Sequence, residues 1–302
     1  MKKTLIAMAA VAVAGVASAQ VTITGAVAAG YSMTTKLNAA SVGGYGFDGS
    51  SISFKATEDL GGGLSVTATS SIDGIMYGSG TNANTASLTV AGGFGSIAMV
   101  AAKESCDGLS GNAQGVRLDG AGFVCGASPS DALVYTFPEI APGLAAKVTF
   151  GDNLNGFDSR LKATTWEAKY TAGAVMVGGN ITKYEKAAAG DKSNKTRIFA
   201  SYDMGVAKLG IGSQSGYAGP GEKDDRTVFG ISIPMGALTI AAGSGTIDET
   251  VGTDDTNKTS TGVNLTYALS KRTSVVGDFT RTSGAAAGDE KAFNRVLVKH
   301  SF

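Results

Sequence analysis

The chain has 302 residues, with 44 Gly and 5 Pro; 43% are hydrophobic and 17% charged, and 25 basic side chains face 25 acidic ones. Gly at about twice its usual ~7%, with charge below the usual ~25%, excludes an ordinary cytosolic enzyme composition, and the missing G-X-Y period and Pro-rich tracts exclude collagen and most disordered chains. A formal charge of zero excludes a nucleic-acid partner, which needs a strong basic surplus.

At the start of the chain, Lys2 and Lys3 precede an apolar run from Leu5 to Val16, and Ala17-Ser18-Ala19 places small residues at the cleavage positions. The pattern predicts a secretory signal peptide over 1–19, because its apolar run falls short of the about 20 residues of a spanning helix. Its removal leaves one predicted domain, 20–302, with 23 basic and 25 acidic side chains. Export leads to an oxidising compartment, so the two cysteines, Cys106 and Cys125, are expected to form a disulfide. That bond closes a loop of roughly 20 residues and contributes on the order of 3 kcal/mol in the chain-entropy model. Two free thiols are the alternative.

Beyond residue 19 the recurring signal is alternation with period 2. In Ser51–Thr57, Ile52, Phe54 and Ala56 share one face of an extended strand, and Ser51, Ser53, Lys55 and Thr57 share the other. The same reading fits Leu144–Phe150, Trp166–Tyr170 and Val263–Leu269. Breaking the chain at Gly, Asn and Asp clusters predicts sixteen strands, near 21–34, 48–59, 64–76, 84–92, 95–103, 131–137, 144–151, 163–171, 174–184, 195–203, 206–214, 226–233, 237–247, 259–269, 273–282 and 291–302. Seven short turns alternate with longer polar loops, among them 185–194, 215–225, 248–258 and 283–290. That asymmetry belongs to an even-stranded transmembrane antiparallel β-barrel with both termini on the short-turn side. Strands exposed to hydrocarbon must close on themselves, since each unpaired edge group costs several kcal/mol there. About sixteen strands leave an aqueous lumen, where about eight would be filled by side chains. A soluble β-sandwich also alternates, but needs neither the loop asymmetry nor a terminal aromatic.

Several segments then carry a resemblance. The chain ends Val298-Lys299-His300-Ser301-Phe302, and the terminal Phe302 looks like the assembly signal of outer-membrane barrels. Thr57-Glu58-Asp59-Leu60-Gly61-Gly62-Gly63-Leu64 resembles the E-D-L-G-x-G-L turn of Gram-negative general porins of the β-proteobacterial type. Tyr267-Ala268-Leu269-Ser270-Lys271-Arg272-Thr273 resembles their Y-x-L-S-K-R-T turn. With Val21-Thr22-Ile23-Thr24-Gly25 at the start, the likeness covers the mature chain. It implies a homotrimer of sixteen-stranded barrels in the outer membrane, each a water-filled channel for passive diffusion of ions and small hydrophilic solutes. It further implies contact with outer-membrane lipid and lipopolysaccharide, and folding by the barrel-assembly machinery through the last strand. The third external loop, about 104–130, is expected to fold inward as a constriction carrying Glu104, Asp107, Arg117 and Asp119. Where many relatives hold wall arginines, this chain has Ser51, Asn84 or Thr85, Val134 and Val100-Ala101.

Alternation puts Lys55, Lys147, Lys169, Arg197, Arg295 and Lys299 on inward faces, opposed by Glu167. With the wall basic and the loop acidic, the layout predicts weak ion selectivity. Trp166, Tyr170, Tyr202, Phe229, Tyr267 and Phe302 are expected in the aromatic girdles, and small outward residues on early strands at the trimer contact. No catalytic constellation forms around the sole histidine, His300, so neither enzyme nor cofactor is expected. Clustered Cys and His ligands for zinc are missing from the sequence, and no metal is expected. Asp248-Glu249 and Asp254-Asp255, read as one external loop, offer oxygen ligands for loose Ca²⁺ binding, with a solvated acidic loop as the plainer reading. A substrate-specific channel would need an inward aromatic row, which the pattern does not predict. A non-conducting barrel serving as adhesin or anchor would accept a plugged lumen.

Overall fold

A computed structural model describes residues 20–36, 40–74, 82–102, 130–152, 162–185, 192–217, 223–251, 254–284 and 290–302. Its first eight strands are β1 (Gln20–Lys36), β2 (Val42–Gly61), β3 (Leu64–Asp73), β4 (Asn82–Gly92), β5 (Gly95–Ala102), β6 (Ser130–Thr136), β7 (Leu144–Asp152) and β8 (Lys162–Ala172). The other eight are β9 (Val175–Glu185), β10 (Lys192–Asp203), β11 (Lys208–Tyr217), β12 (Lys223–Met235), β13 (Leu238–Val251), β14 (Asp254–Ala268), β15 (Thr273–Gly284) and β16 (Lys291–Ser301). Each pairs antiparallel with its chain neighbours, and β1 also pairs with β16, so the sheet closes. Closure excludes the sandwich.

The register gives every strand one apolar face and one polar face. Ile23, Phe54, Leu88, Trp166, Ile198 and Phe229 stand exposed on the outside, where hydrocarbon rather than water meets them. Inside, facing hydroxyls link strands: Thr57 to Thr67 at 3.2 Å, Ser71 to Thr85 at 2.6 Å and Thr165 to Thr182 at 2.9 Å. Such rungs keep the inner polar groups satisfied where water alone would otherwise serve.

At the turn side, Gly61, Gly62 and Gly63 have φ of 77°, 62° and 79°, a left-handed run that residues with a Cβ rarely enter. Asp59 Oδ1 accepts the Gly61 N–H at 2.8 Å, fixing that turn. β1 begins and β16 ends on this side. Gly25 N–H donates to Phe302 O at 3.0 Å and Phe302 N–H to Gly25 O at 2.9 Å. The Phe302 ring covers Gly25 so closely that a methyl there would come within 2.4 Å of it.

The strands run longer than alternation predicts on the other side. β2 begins at Val42, and the expected 248–258 loop is ladder up to Val251 opposite Asp254. Above the hydrocarbon neither face needs to be apolar, so the ladder continues after its sequence signal has vanished. The same correction makes the acidic stretch strand, not loop, up to Val251 and again from Asp254. Asp248 and Glu249 are successive strand residues on opposite faces, and Asp248 is held by Lys223.

Lys223 also lies 3.5 Å from Asp225. The hydrogen bond to Asp248 raises the Lys223 ammonium above its ordinary value, outweighing desolvation. A raised ammonium pKa contributes stability that is present at neutral pH and lost only as pH climbs through the folded-state value, above 10.5. Because the pair is exposed at the outer rim, that contribution is small, and Lys223→Gln is expected to lower the heat-unfolding temperature at pH 7 only slightly, as followed by gel mobility.

Two of the expected girdle aromatics are displaced. Tyr170, Tyr202, Tyr267 and Phe302 stand within two residues of the turn-side strand ends, whereas Trp166 and Phe229 are six residues from Ala172 and Met235. At about 3.3 Å per residue that puts both in the hydrocarbon interior rather than at its edge. An edge-to-face pair, Tyr31 and Tyr45 with ring centroids 5.0 Å apart, lies toward the outer end.

Candidate functional site

The polar inner wall is where the chain concentrates its chemistry. Lys55, Lys147, Glu167, Lys169, Arg197, Arg295 and Lys299 all occupy inward register positions, but not one ring. Lys147 and Glu167 meet directly, Nζ to Oε1 at 3.1 Å. Lys169 follows two residues along β8. Lys55, between Thr22 and Thr69, and Lys299, between Ala28 and Ser274, belong to a separate stretch of wall. Glu104, Cys106, Asp107, Arg117, Asp119 and Cys125 lie outside the described residues.

A single row of directly opposed inward residues crosses β7 to β14: Lys147, Glu167, Asn180, Arg197, Gln214, Arg226, Ile247 and Lys258. Barrel strands tilt, so a row perpendicular to them climbs. Lys147 stands three residues from the turn-side end of β7, and Lys258 ten from that of β14. With ~3.3 Å per residue and a tilt of ~40°, the rise is about 18 Å. Arg197 is only 3% exposed, and its Nε donates to Gln214 Oε1 at 2.7 Å. The Phe199 ring occupies the space left by Gly178, whose missing Cβ would stand 2.6 Å from it.

Another cluster spans the seam where the barrel closes. The register shift between Ala28 and Ala29 leaves Asp48 as an extra residue in β2, and such a bulge re-aims its side chain. Arg295 of β16 bonds to Asp48 and, through Nε at 2.5 Å, to Asp278 of β15. Asn264 Nδ2 donates to Asp278 at 2.6 Å, and Thr266 donates to Asn264 Oδ1 at 3.0 Å. A continuous polar chain thus runs from β14 to β2, across the β1–β16 junction.

Two inward aromatics, Phe199 and Phe293, were not among the residues singled out above, and each stands two residues from an arginine on the same face. The Arg295 guanidinium lies 5.8 Å from the Phe293 ring centroid. The signal for both lay in their spacing from Arg197 and Arg295.

Matching the chain against protein families, the model described as Gram-negative porin covers residues 5–287. The chain belongs to the Gram-negative porin family. The solved structures similar to this porin include the anion-selective porin of Comamonas acidovorans, with a TM-score of 0.77 at 20% identity, covering 94% of this chain and 100% of that one. They also include OmpT of Vibrio cholerae in its trimer form, at 0.73 and 11%, covering 94% and 100%. A mutant of the Rh. blastica porin follows at 0.68 and 13%, again covering 94% and 100%. Among curated proteins none matches. Membership and fold together place this porin in the outer membrane, as a channel for small solutes.

Proposed function

We propose that this porin is a general diffusion channel, which lets ions and small hydrophilic solutes cross passively through a wet lumen and carries out no enzymatic step. What carries the reading is the combination of an apolar outer face with an inner wall of hydroxyls, amides and charges in a barrel of sixteen strands. Sixteen strands leave room for water within. A substrate-specific channel is the weaker reading, because Phe199 and Phe293 stand in separate rows and form no continuous aromatic slide.

The finer parts of the proposal come from the sequence. Residues 1–19 act as the export signal, and 104–130 narrow the lumen with Glu104, Asp107, Arg117 and Asp119, braced by a Cys106–Cys125 disulfide. Three copies assemble through the outer faces of the early strands. Supporting this, the turn-side tyrosines Tyr170, Tyr202 and Tyr267 belong to β8, β10 and β14, while β3 to β5 present Leu64, Val66, Val90 and Ile97 there. Lipopolysaccharide phosphates meet outward Lys183 and Arg281 near the outer ends. The barrel-assembly machinery reads the strand ending in Phe302.

Liposome swelling tests the diffusion reading. Vesicles containing the folded protein are expected to swell in arabinose faster than in a disaccharide, at rates that do not saturate with concentration. Swelling that saturates with one sugar and ignores the others of its size contradicts it.

A further inference from the structure

We infer that the lipid face at the turn-side end of β14, β15, β16 and β1 holds an anionic phospholipid of the inner leaflet. Its phosphate lies against His300, Lys271 and Arg272, and its acyl chains lie on the apolar side chains beside them. This site goes beyond the diffusion reading and rests only on the barrel's place in the outer membrane.

His300, the sole histidine of the chain, has no part in the lumen. Its register partners are Val27 of β1 and Thr273 of β15. Val27 stands exposed on the outer face with Ile23, so the imidazole faces lipid as well. Apolar neighbours surround it there. Val298 and Phe302 lie two residues to either side along β16, and Tyr267, Val275 and Val298 form the next row across the strands. The Phe302 ring lies over Gly25 of β1. His300 and Thr273 are both at the turn-side strand ends, level with the aromatics that mark the headgroup layer. Thr273 Oγ1 is 2.9 Å from His300 Nδ1. A hydroxyl donating to Nδ1 leaves the ring proton on Nε2, and a protonated ring donates from both nitrogens. Among the described residues none bonds to Nε2, so a donor is aimed into the headgroup layer, where leaving it without an acceptor is costly.

Two cations flank this donor. Ser270 Oγ accepts the N–H groups of Arg272 and Thr273 at 3.2 and 3.0 Å, fixing the turn that exposes Lys271 and Arg272. Ser301 N–H donates to Arg272 O at 2.8 Å, which ties the turn to the strand of His300. Side-chain carboxylates are scarce: β15, β16 and β1 carry only Asp278, which faces inward to Arg295. Phe302 O is taken by the Gly25 N–H. Other turns differ, with Glu58 and Asp59, Glu139, and Asp203 at or beside them. A phosphodiester therefore meets an imidazole, an ammonium and a guanidinium together, with apolar surface for its acyl chains adjoining. Short turns face the periplasm, so the lipid comes from the inner leaflet, whereas lipopolysaccharide meets the opposite rim.

Trp166, the only tryptophan of the chain, faces lipid on β8, away from this seam, and serves as the reference. For the test, Val298→Trp is combined with Trp166→Phe, and the folded protein is placed in vesicles of equal phosphatidylcholine and phosphatidylglycerol, with one or the other brominated. Quenching of the new indole is expected to report phosphatidylglycerol enriched on the order of 5-fold, about what one basic residue near a headgroup supplies. Trp166 in the wild type should show no such preference. Lys271→Gln with Arg272→Gln should remove most of the enrichment, and His300→Ala part of it. Val27→Trp, in the row of His300, replaces the first reporter if that variant does not fold. Equal quenching by both lipids at the seam, the same enrichment at Trp166, or enrichment that survives all three substitutions overturns the inference. Enrichment lost to inorganic phosphate, but not to chloride of the same ionic strength, assigns the cations to a free anion and overturns it too. None of these outcomes bears on conductance, so the diffusion reading stands or falls separately.

Discussion

Replacing Arg295 with Ala is expected to destabilise the folded barrel by about 3 kcal/mol, seen as a lower urea midpoint for vesicle-bound protein. Asp278 is 2% exposed, and without the guanidinium it keeps Asn264 but loses its counter-charge. Removing one partner of a buried pair costs about 3–5 kcal/mol, because the remaining charge is stranded away from water. Adding Asp278→Asn to the Arg295→Ala variant should therefore recover part of the loss, which simple loss of arginine packing would not allow. Position in the fold sharpens the effect. Asp48, Arg295 and Asp278 join the first hairpin to the last across the junction that closes the barrel, so the damage should appear first as slower closure. An Arg295→Ala barrel with the wild-type midpoint contradicts the assignment.

Gly30→Val is expected to prevent closure outright. A Cβ at Gly30 would stand 2.0 Å from Val296 O and 2.8 Å from Leu297 Cα. Both atoms are backbone of β16, paired with β1 at this point, so no side chain can turn aside. Ordinary overpacking costs about 1–3 kcal/mol; here relief requires β1 and β16 to separate, leaving unpaired edges in lipid at several kcal/mol per group. The heat-modifiable folded band should disappear. Gly44 in the same hairpin is the control, since a Cβ there meets nothing within 4 Å, and Gly44→Ala should fold normally.

Both effects depend on register, which only closure defines. Within the hydrocarbon band the sequence was easy to read, because lipid demands an apolar residue at every second position and water in the lumen forbids it at the others. Ser51–Thr57 in β2 and Trp166–Tyr170 in β8 announce themselves for that reason. Above the band the demand ends, and with it the signal: β13 and β14 continue through Asp248 and Asp254, residues that read as loop. Faces were likewise legible, and the inward placement of Lys147, Glu167, Arg197 and Arg295 followed from alternation alone. Their partners did not. That Arg197 shares a row with Arg226 and Lys258 depends on how four hairpins stagger, and that Arg295 reaches Asp48 depends on a one-residue bulge in a strand more than two hundred residues earlier. The inward place of Phe199 follows from its spacing to Arg197, but that its ring fills the space left by Gly178 depends on the pairing of β9 with β10.

Single-channel recording of the purified, unheated protein in a planar bilayer tests the central claim most directly. Stepwise increases in current, with openings grouped in threes, are the predicted result for an open sixteen-stranded pore assembled as a trimer. A barrel shown to be folded by its heat-dependent gel mobility, yet carrying no current at any voltage applied, would contradict the channel and favour a structural or adhesive role.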